Sequence, residues 1–148
     1  VPGLGLGRDP VRVPIPWDGG PKAGFTTGEP WLPLPPDHRL RNVAAQAADP
    51  ASMLALHRAL LRLRAAEPAL AVGDHLPVSA GDDVLAFERR HGARRLRILL
   101  NMGGSPRVAD GPPGGGRILL STHLDRAGEM PGPRIPLRPD EGVVVAPE

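Results

Sequence analysis

The chain has 148 residues, with 18 lysines and arginines against 16 acidic residues and no cysteine. That length allows one ordinary domain, or a small domain with an attachment, and the missing thiols exclude a disulfide framework and any thiolate metal site. No apolar run is long enough for a membrane-spanning helix, and the arginines are interleaved with acids and lack the aromatic partners of a nucleic-acid surface.

Residues 1 to 48 are punctuated by proline and glycine and read as an irregular but ordered segment. Its start, "VPGLGLGRDP", has neither the charged beginning nor the apolar core of a signal peptide. Residues 49 to 66 read as one amphipathic helix. Asp49 is the expected cap and Pro50 suits the first helical position. Met53, Leu56, Leu60 and Leu63 recur on one face, with Leu54 and Leu61 widening the stripe, while Arg58, Arg62 and Ala65 lie away from it. Pro68 is expected to stop the helix. His57 falls on the flank of the stripe and reads as a surface residue.

From residue 69 the period changes to two. "GDHLPVS", "DVLAFERR", "RRLRILLNM", "GRILLSTHL", "RIPLRP" and "EGVVVAPE" read as short strands separated by turns. In "DVLAFERR", Val84, Ala86 and Glu88 share one face and Leu85, Phe87 and Arg89 the other. The "HG" after Arg90 reads as a hairpin turn. Turn spacing of this kind suits a small antiparallel β-sandwich. Such a unit has a thin core and leans on a neighbour. A long loop, one helix and a β-sandwich do not make a balanced fold, so the chain reads as a C-terminal piece of something larger.

The stretch "GRDPVRVPIPWDGGPKAGFTTGEPWLPL", followed by "NVAAQ" and then by the helix ending "EPAL", resembles glycoside hydrolase family 13 in its α-glucosidase and oligo-1,6-glucosidase branch. The matching residues include Gly7, Arg8, Asp9, Arg12, Pro14, Trp17, Asp18, Ala23, Gly24, Phe25, Thr26, Thr27, Trp31, Asn42 and Gln46. The resemblance implies an α+β fragment: the end of a (β/α)8 barrel followed by a small antiparallel β-sandwich. Residues 1–68 would close the barrel, as a loop over 1–48 and the last barrel helix over 49–66, and residues 69–148 would be the β domain. Trp17, Phe25 and Trp31 are then expected to bury the loop against the barrel rim.

The resemblance also implies what is absent. A retaining glycosidase needs a nucleophile and an acid/base flanking the bond, and the family's carboxylates for these roles would lie before residue 1. Asp9 and Asp18 are not assigned to that chemistry, so no catalytic residue is expected in this chain. What the resemblance carries over is substrate binding: an arginine of this loop that holds the hydroxyls of a terminal glucose. Arg8 is the first choice and Arg12 the second, a planar fork of donors being suited to the task. The competing role for each is a loop-bracing ion pair with Asp9 or Asp18. Val13, Ile15 and Pro16 depart from the family's usual Thr, Met and Gln, which bears on substrate preference.

The implied activity is hydrolysis of terminal α-glucosidic bonds in oligosaccharides, performed by the parent barrel and absent from this chain alone. A glucosyl isomerase or transferase of the trehalose-synthase kind, and a non-catalytic β module, are the alternatives. The missing barrel is the expected intramolecular partner, and without it the helix would expose its leucine stripe. Neither a metal nor another cofactor is expected, nor a nucleic acid or membrane partner; the cysteine-free composition suits a cytoplasmic location.

Overall fold

The structure is a computed structural model and describes residues 11–81 and 83–148. Among the described residues, three helices, α1 (Val43–Ala48), α2 (Met53–Ala66) and α3 (Pro68–Val72), precede seven strands. These are β1 (Asp74–Val78), β2 (Val84–His91), β3 (Arg94–Asn101), β4 (Arg107–Asp110), β5 (Gly116–Ser121), β6 (Arg134–Leu137) and β7 (Gly142–Pro147). The chain divides into two compact units, one ending at Ala55 and one running from Leu56 to Glu148.

In the first unit, residues 11–42 form turns and bends without a strand or α-helix, as their proline and glycine content dictates. The segment then enters α1, a helix absent from the sequence reading. "VAAQAA" has no apolar stripe and buries no residue, so periodicity gives no signal for it. Its caps form it instead. Asn42 is the N-cap, with its side-chain oxygen accepting from Ala45 N at 2.9 Å.

The helix expected over 49–66 begins at Met53. Asp49 closes α1 as its C-cap, and its carboxylate accepts from Ala51 N at 2.8 Å. Ser52 is the cap of α2: its hydroxyl accepts from Ala55 N at 3.1 Å and donates to the Gln46 carbonyl at 2.7 Å. Gln46 also takes Leu54 N on its side-chain oxygen at 3.1 Å. Asp49 and Ser52 both have cap chemistry, and the donors presented by the second turn decide between them. At the other end Pro68 does more than stop α2, because it occupies the first turn of α3.

The second unit is built on an antiparallel five-stranded sheet in the order β1-β2-β3-β7-β5, with β4 and β6 forming a separate two-stranded ribbon. The β2–β3 hairpin pairs His91 with Arg94, leaving Gly92 and Ala93 as the connection. Gly92 has φ 56°, a left-handed conformation that only glycine adopts without strain.

Alternation along each strand divides the core. Ala86, Leu99, Ile118, Val143 and Val145 face Ala109, Ile135 and Leu137 of the ribbon. On the opposite face, Leu96, Ile98, Val144 and Ala146 pack with Ala69 of α3, and Leu63 and Leu70 lie against them. The two sheets therefore form the expected antiparallel sandwich, open at its edges, with helices on the outer face. β7 is covered on both sides, which is why "VVVA" is a continuous apolar run. Full burial of each such Val, Leu or Ile side chain contributes about 1.5–3 kcal/mol.

Strand β4 went unread in the sequence. "RVAD" is four residues long and buries only Ala109. The stripe of α2 is only partly used: Leu56 is buried and Leu63 packs on the sheet. Met53, Leu60 and Leu61 remain 72%, 39% and 54% exposed.

Candidate functional site

The loop over 11–49 earns its shape from backbone hydrogen bonds rather than from a core. Asp18 accepts Gly20 N on its carboxylate at 2.8 Å, and Ala23 N donates to the Gly20 carbonyl at 2.9 Å. The Ala23 carbonyl then receives Trp17 N at 2.7 Å and Asp18 N at 3.3 Å, closing a tight reversal. This requires left-handed backbone at Ala23 (φ 53°) and Gly24 (φ 63°). A Cβ on Gly24 would meet the Asp18 carboxylate at 2.6 Å, so both its φ and its surroundings call for glycine.

The reversal is fastened to α1. Val43 N donates to the Pro16 carbonyl at 2.9 Å and Ala44 N to the Trp17 carbonyl at 3.0 Å. With Ala45 N on Asn42, the first three orphan donors of the helix are satisfied, two of them by the loop itself. Asn42 is buried, and its amide donates back to the carbonyls of His38 (2.9 Å) and Arg39 (3.3 Å). Pro16 keeps a role although it lacks a backbone donor: its carbonyl is the group used. Further along, Lys22 is tied to the Gly28 carbonyl at 2.9 Å and to Glu29 at 2.5 Å.

Of the two arginines expected to bind sugar, Arg8 lies outside the described residues. Arg12 is exposed on the loop and, among the described residues, forms no ion pair. Asp18, one of its alternative partners, is engaged with Gly20 N instead. Arg12 flanks a hollow of about 280 Å³ whose other walls include Val13, Ile15, Phe25 and Trp31. Trp17, Phe25 and Trp31, expected to pack against a barrel rim, have no such surface within these 148 residues and are 52%, 48% and 96% exposed here. The loop is held by polar contacts, and its three aromatic side chains are exposed.

The second unit holds a buried carboxylate enclosed by hydrogen-bond donors. Glu141 is fully buried. Its carboxylate accepts from Ser121 Oγ and Arg138 Nη2, both at 2.7 Å, from Arg138 N at 2.8 Å and from Arg126 Nη1 at 3.2 Å. Burial pushes its pKa up, but the bonds from Arg138 and Ser121 and the charge of Arg126 outweigh that and bring it down to about 2. The Arg138 fork also grips Asp125, whose carboxyl is held below its ordinary range mainly by those hydrogen bonds. The carboxylate is therefore a locked anion, unfit to shuttle protons near neutrality. Sequence reasoning missed it: in "RPDEGVVV" nothing local distinguishes Glu141 from a solvated turn residue.

Comparison with known proteins gives two family matches in succession. Residues 3–73 match the α-amylase catalytic domain, and residues 73–144 match a domain described as Domain of unknown function (DUF3459). The chain is 43% identical over 96 residues to the "Probable alpha-glucosidase" of Rhizobium meliloti (strain 1021), covering 65% of this chain and 17% of that protein. It is 32% identical over 96 residues to the "Oligo-1,6-glucosidase" of Parageobacillus thermoglucosidasius, covering 64% of this chain and 17% of the relative. The solved trehalulose synthase MutB from Pseudomonas mesoacidophila MX-45 matches 94% of this chain with a TM-score of 0.84 at 29% identity, over 26% of its own length. The chain thus spans less than a fifth of either of these curated relatives. A hydrogen-bonded loop bearing the α-glucosidase motif residues, followed by an antiparallel β domain, with two family matches that meet at residue 73, shows that the chain belongs to glycoside hydrolase family 13, the α-amylase family, in its α-glucosidase-like branch.

Proposed function

We propose that residues 1–68 close the catalytic barrel, and residues 69–148 form the β domain, of a retaining α-glucosidase acting on terminal α-linked glucose of oligosaccharides. The observation that carries this reading is the loop over 11–49: its α-glucosidase motif residues Trp17, Asp18, Ala23, Gly24 and Asn42 are the ones that fix its backbone. The backbone fixed in this way, from Trp17 to the start of α1, needs little reordering when substrate arrives. Arg8, with Arg12 as second choice, would donate to the hydroxyls of the terminal glucose.

The nucleophile and the acid/base would be supplied by portions of the catalytic domain outside these 148 residues. Asp18 is unsuited to either role because it braces the Gly20 turn. The chain alone is therefore expected to release no glucose from maltose or isomaltose. The same reading assigns the parent enzyme to the cytoplasm.

The test is to express the reading frame together with the coding sequence upstream of Val1 and to assay maltose and isomaltose. Arg8→Ala is expected to lower kcat/KM by about 10- to 100-fold, the size of a lost charge-assisted hydrogen bond to substrate. An unchanged kcat/KM in both Arg8→Ala and Arg12→Ala removes the substrate role. The likeness to the trehalulose synthase supports a second reading, glucosyl isomerisation or transfer. Products formed from sucrose separate the two: glucose plus fructose indicates hydrolysis, and a rearranged disaccharide indicates isomerisation.

A further inference from the structure

A hollow of about 510 Å³ opens beside the β4–β6 ribbon. Its apolar floor is formed by Val108 and Pro136, a directly opposed cross-strand pair. Val108 is 54% exposed, so this floor faces outward and not into the core. Two ion pairs make the rim: Asp125 with Arg138 at 2.6 and 2.7 Å, and Arg126 with Glu129 at 2.9 Å.

At the Arg126–Glu129 pair, hydrogen bonding leaves a donor and an acceptor over. Arg126 uses Nε on Glu129 and Nη1 on the Pro136 carbonyl and on Glu141, so Nη2 has no acceptor among the described residues. Glu129 uses Oε2 on Arg126, and its Oε1 has no donor among those residues apart from solvent. Arg107, on another wall, is tied to Asp83 at 2.5 Å. Every guanidinium at the hollow is thus already matched by a carboxylate. With these charges balanced, a neutral ligand adds no unpaired charge to the hollow, whereas an anion would.

A flat apolar floor beside an unused donor and an unused acceptor suits a neutral polyhydroxylated ring. One hydroxyl accepts from Arg126 Nη2, its neighbour donates to Glu129 Oε1, and the C–H face of the ring lies on Val108 and Pro136. We propose that this hollow is an accessory glycan site holding one hexose unit of a neutral oligosaccharide. It uses only residues of the β domain and is independent of the Arg8 and Arg12 assignment. Lacking an aromatic platform, it binds in the millimolar range.

The experiment is a titration of the isotopically labelled 148-residue chain with maltose, followed through its backbone amide resonances, with sodium sulfate as the competing probe. Maltose is expected to produce saturable shifts in residues 106–108 and 125–138, and sulfate at equal concentration is expected to leave bound maltose in place. Val108→Asp and Glu129→Ala should each weaken binding by about fivefold, the size of one lost contact. Both sites are exposed, so melting should stay within about 2 °C of the parent. Unsaturable shifts, displacement of maltose by sulfate, or undiminished affinity in both variants would overturn the assignment. Glucose release is not measured, so failure here is separate from failure of the proposed activity.

Discussion

Ser121 donates its hydroxyl to the Glu141 carboxylate at 2.7 Å inside the β domain, with both side chains 1% exposed or less. The two residues are joined across the β5–β7 neighbourhood, and Arg138 and Arg126 complete the shell of donors around the same carboxylate. Every hydrogen-bond partner of the Glu141 carboxylate is a donor. Glu141→Gln would turn an NH2 group toward one of them and leave two guanidiniums short of charge. We expect a loss of about 3 kcal/mol of unfolding free energy, the usual cost of breaking a buried pair on one side. Urea denaturation of parent and variant measures it, and equal midpoints would show that the network is dispensable.

The same group sets an acid limit. Its folded pKa of about 2 lies below its ordinary 4.5, so the stabilisation is fully present above pH 4.5 and is lost as the pH falls through 2. The depression from 4.5 to about 2 corresponds to a contribution on the order of 3 kcal/mol. Glu67, lowered chiefly by its hydrogen bonds from Arg94, acts in the same direction. Melting temperature followed from pH 7 to pH 2 should fall in the parent, and the fall should be shallower in Glu141→Gln. Parallel curves would refute the linkage.

Asn42 fastens the loop to α1. Asn42→Ala removes the cap on Ala45 N and both amide bonds to the carbonyls of His38 and Arg39. The expected cost is about 1–2 kcal/mol, expressed locally. Hydrogen exchange of the Val43–Ala48 amides should accelerate while that of β3 and β7 stays unchanged. Asn42→Asp keeps the cap oxygen but sets a carboxylate against two carbonyls, so it should rescue only in part.

Exposed apolar residues should govern how the chain behaves in solution. Trp31 is 96% exposed and Leu61 54% exposed, and large apolar side chains left in water favour association. Trp31→Ser with Leu61→Gln should raise the monomer fraction in sedimentation while changing stability by no more than about 0.5 kcal/mol. A parent chain that is already monomeric at high concentration would count against this.

Much of the fold was legible from contiguous residues. The period of two in "DVLAFERR" and "RRLRILLN" gives the β2–β3 hairpin, because alternate side chains must face alternate sides of a sheet. Gly92 is readable because the connection needs a positive φ. The motif loop was legible as family likeness, and its internal logic is local: Asp18, Gly20, Ala23 and Gly24 lie within one turn of each other.

Other features had no local signature. Ser52 caps α2 in place of Asp49 because Gln46, six residues back, takes its hydroxyl proton. Pro68 opens a helix because Ala69 finds a place on the sheet. β4 became a strand because β6, distant in the chain, supplied its partner. Glu141 became a buried anion because Ser121, Arg126 and Arg138 converge on it from 20, 15 and 3 residues away. By itself the sequence determined periodicity, turn conformation and family likeness, since each is carried by neighbouring residues. Only the tertiary structure decided which polar groups are compensated, because a buried charge is tolerated according to the donors that distant segments bring to it.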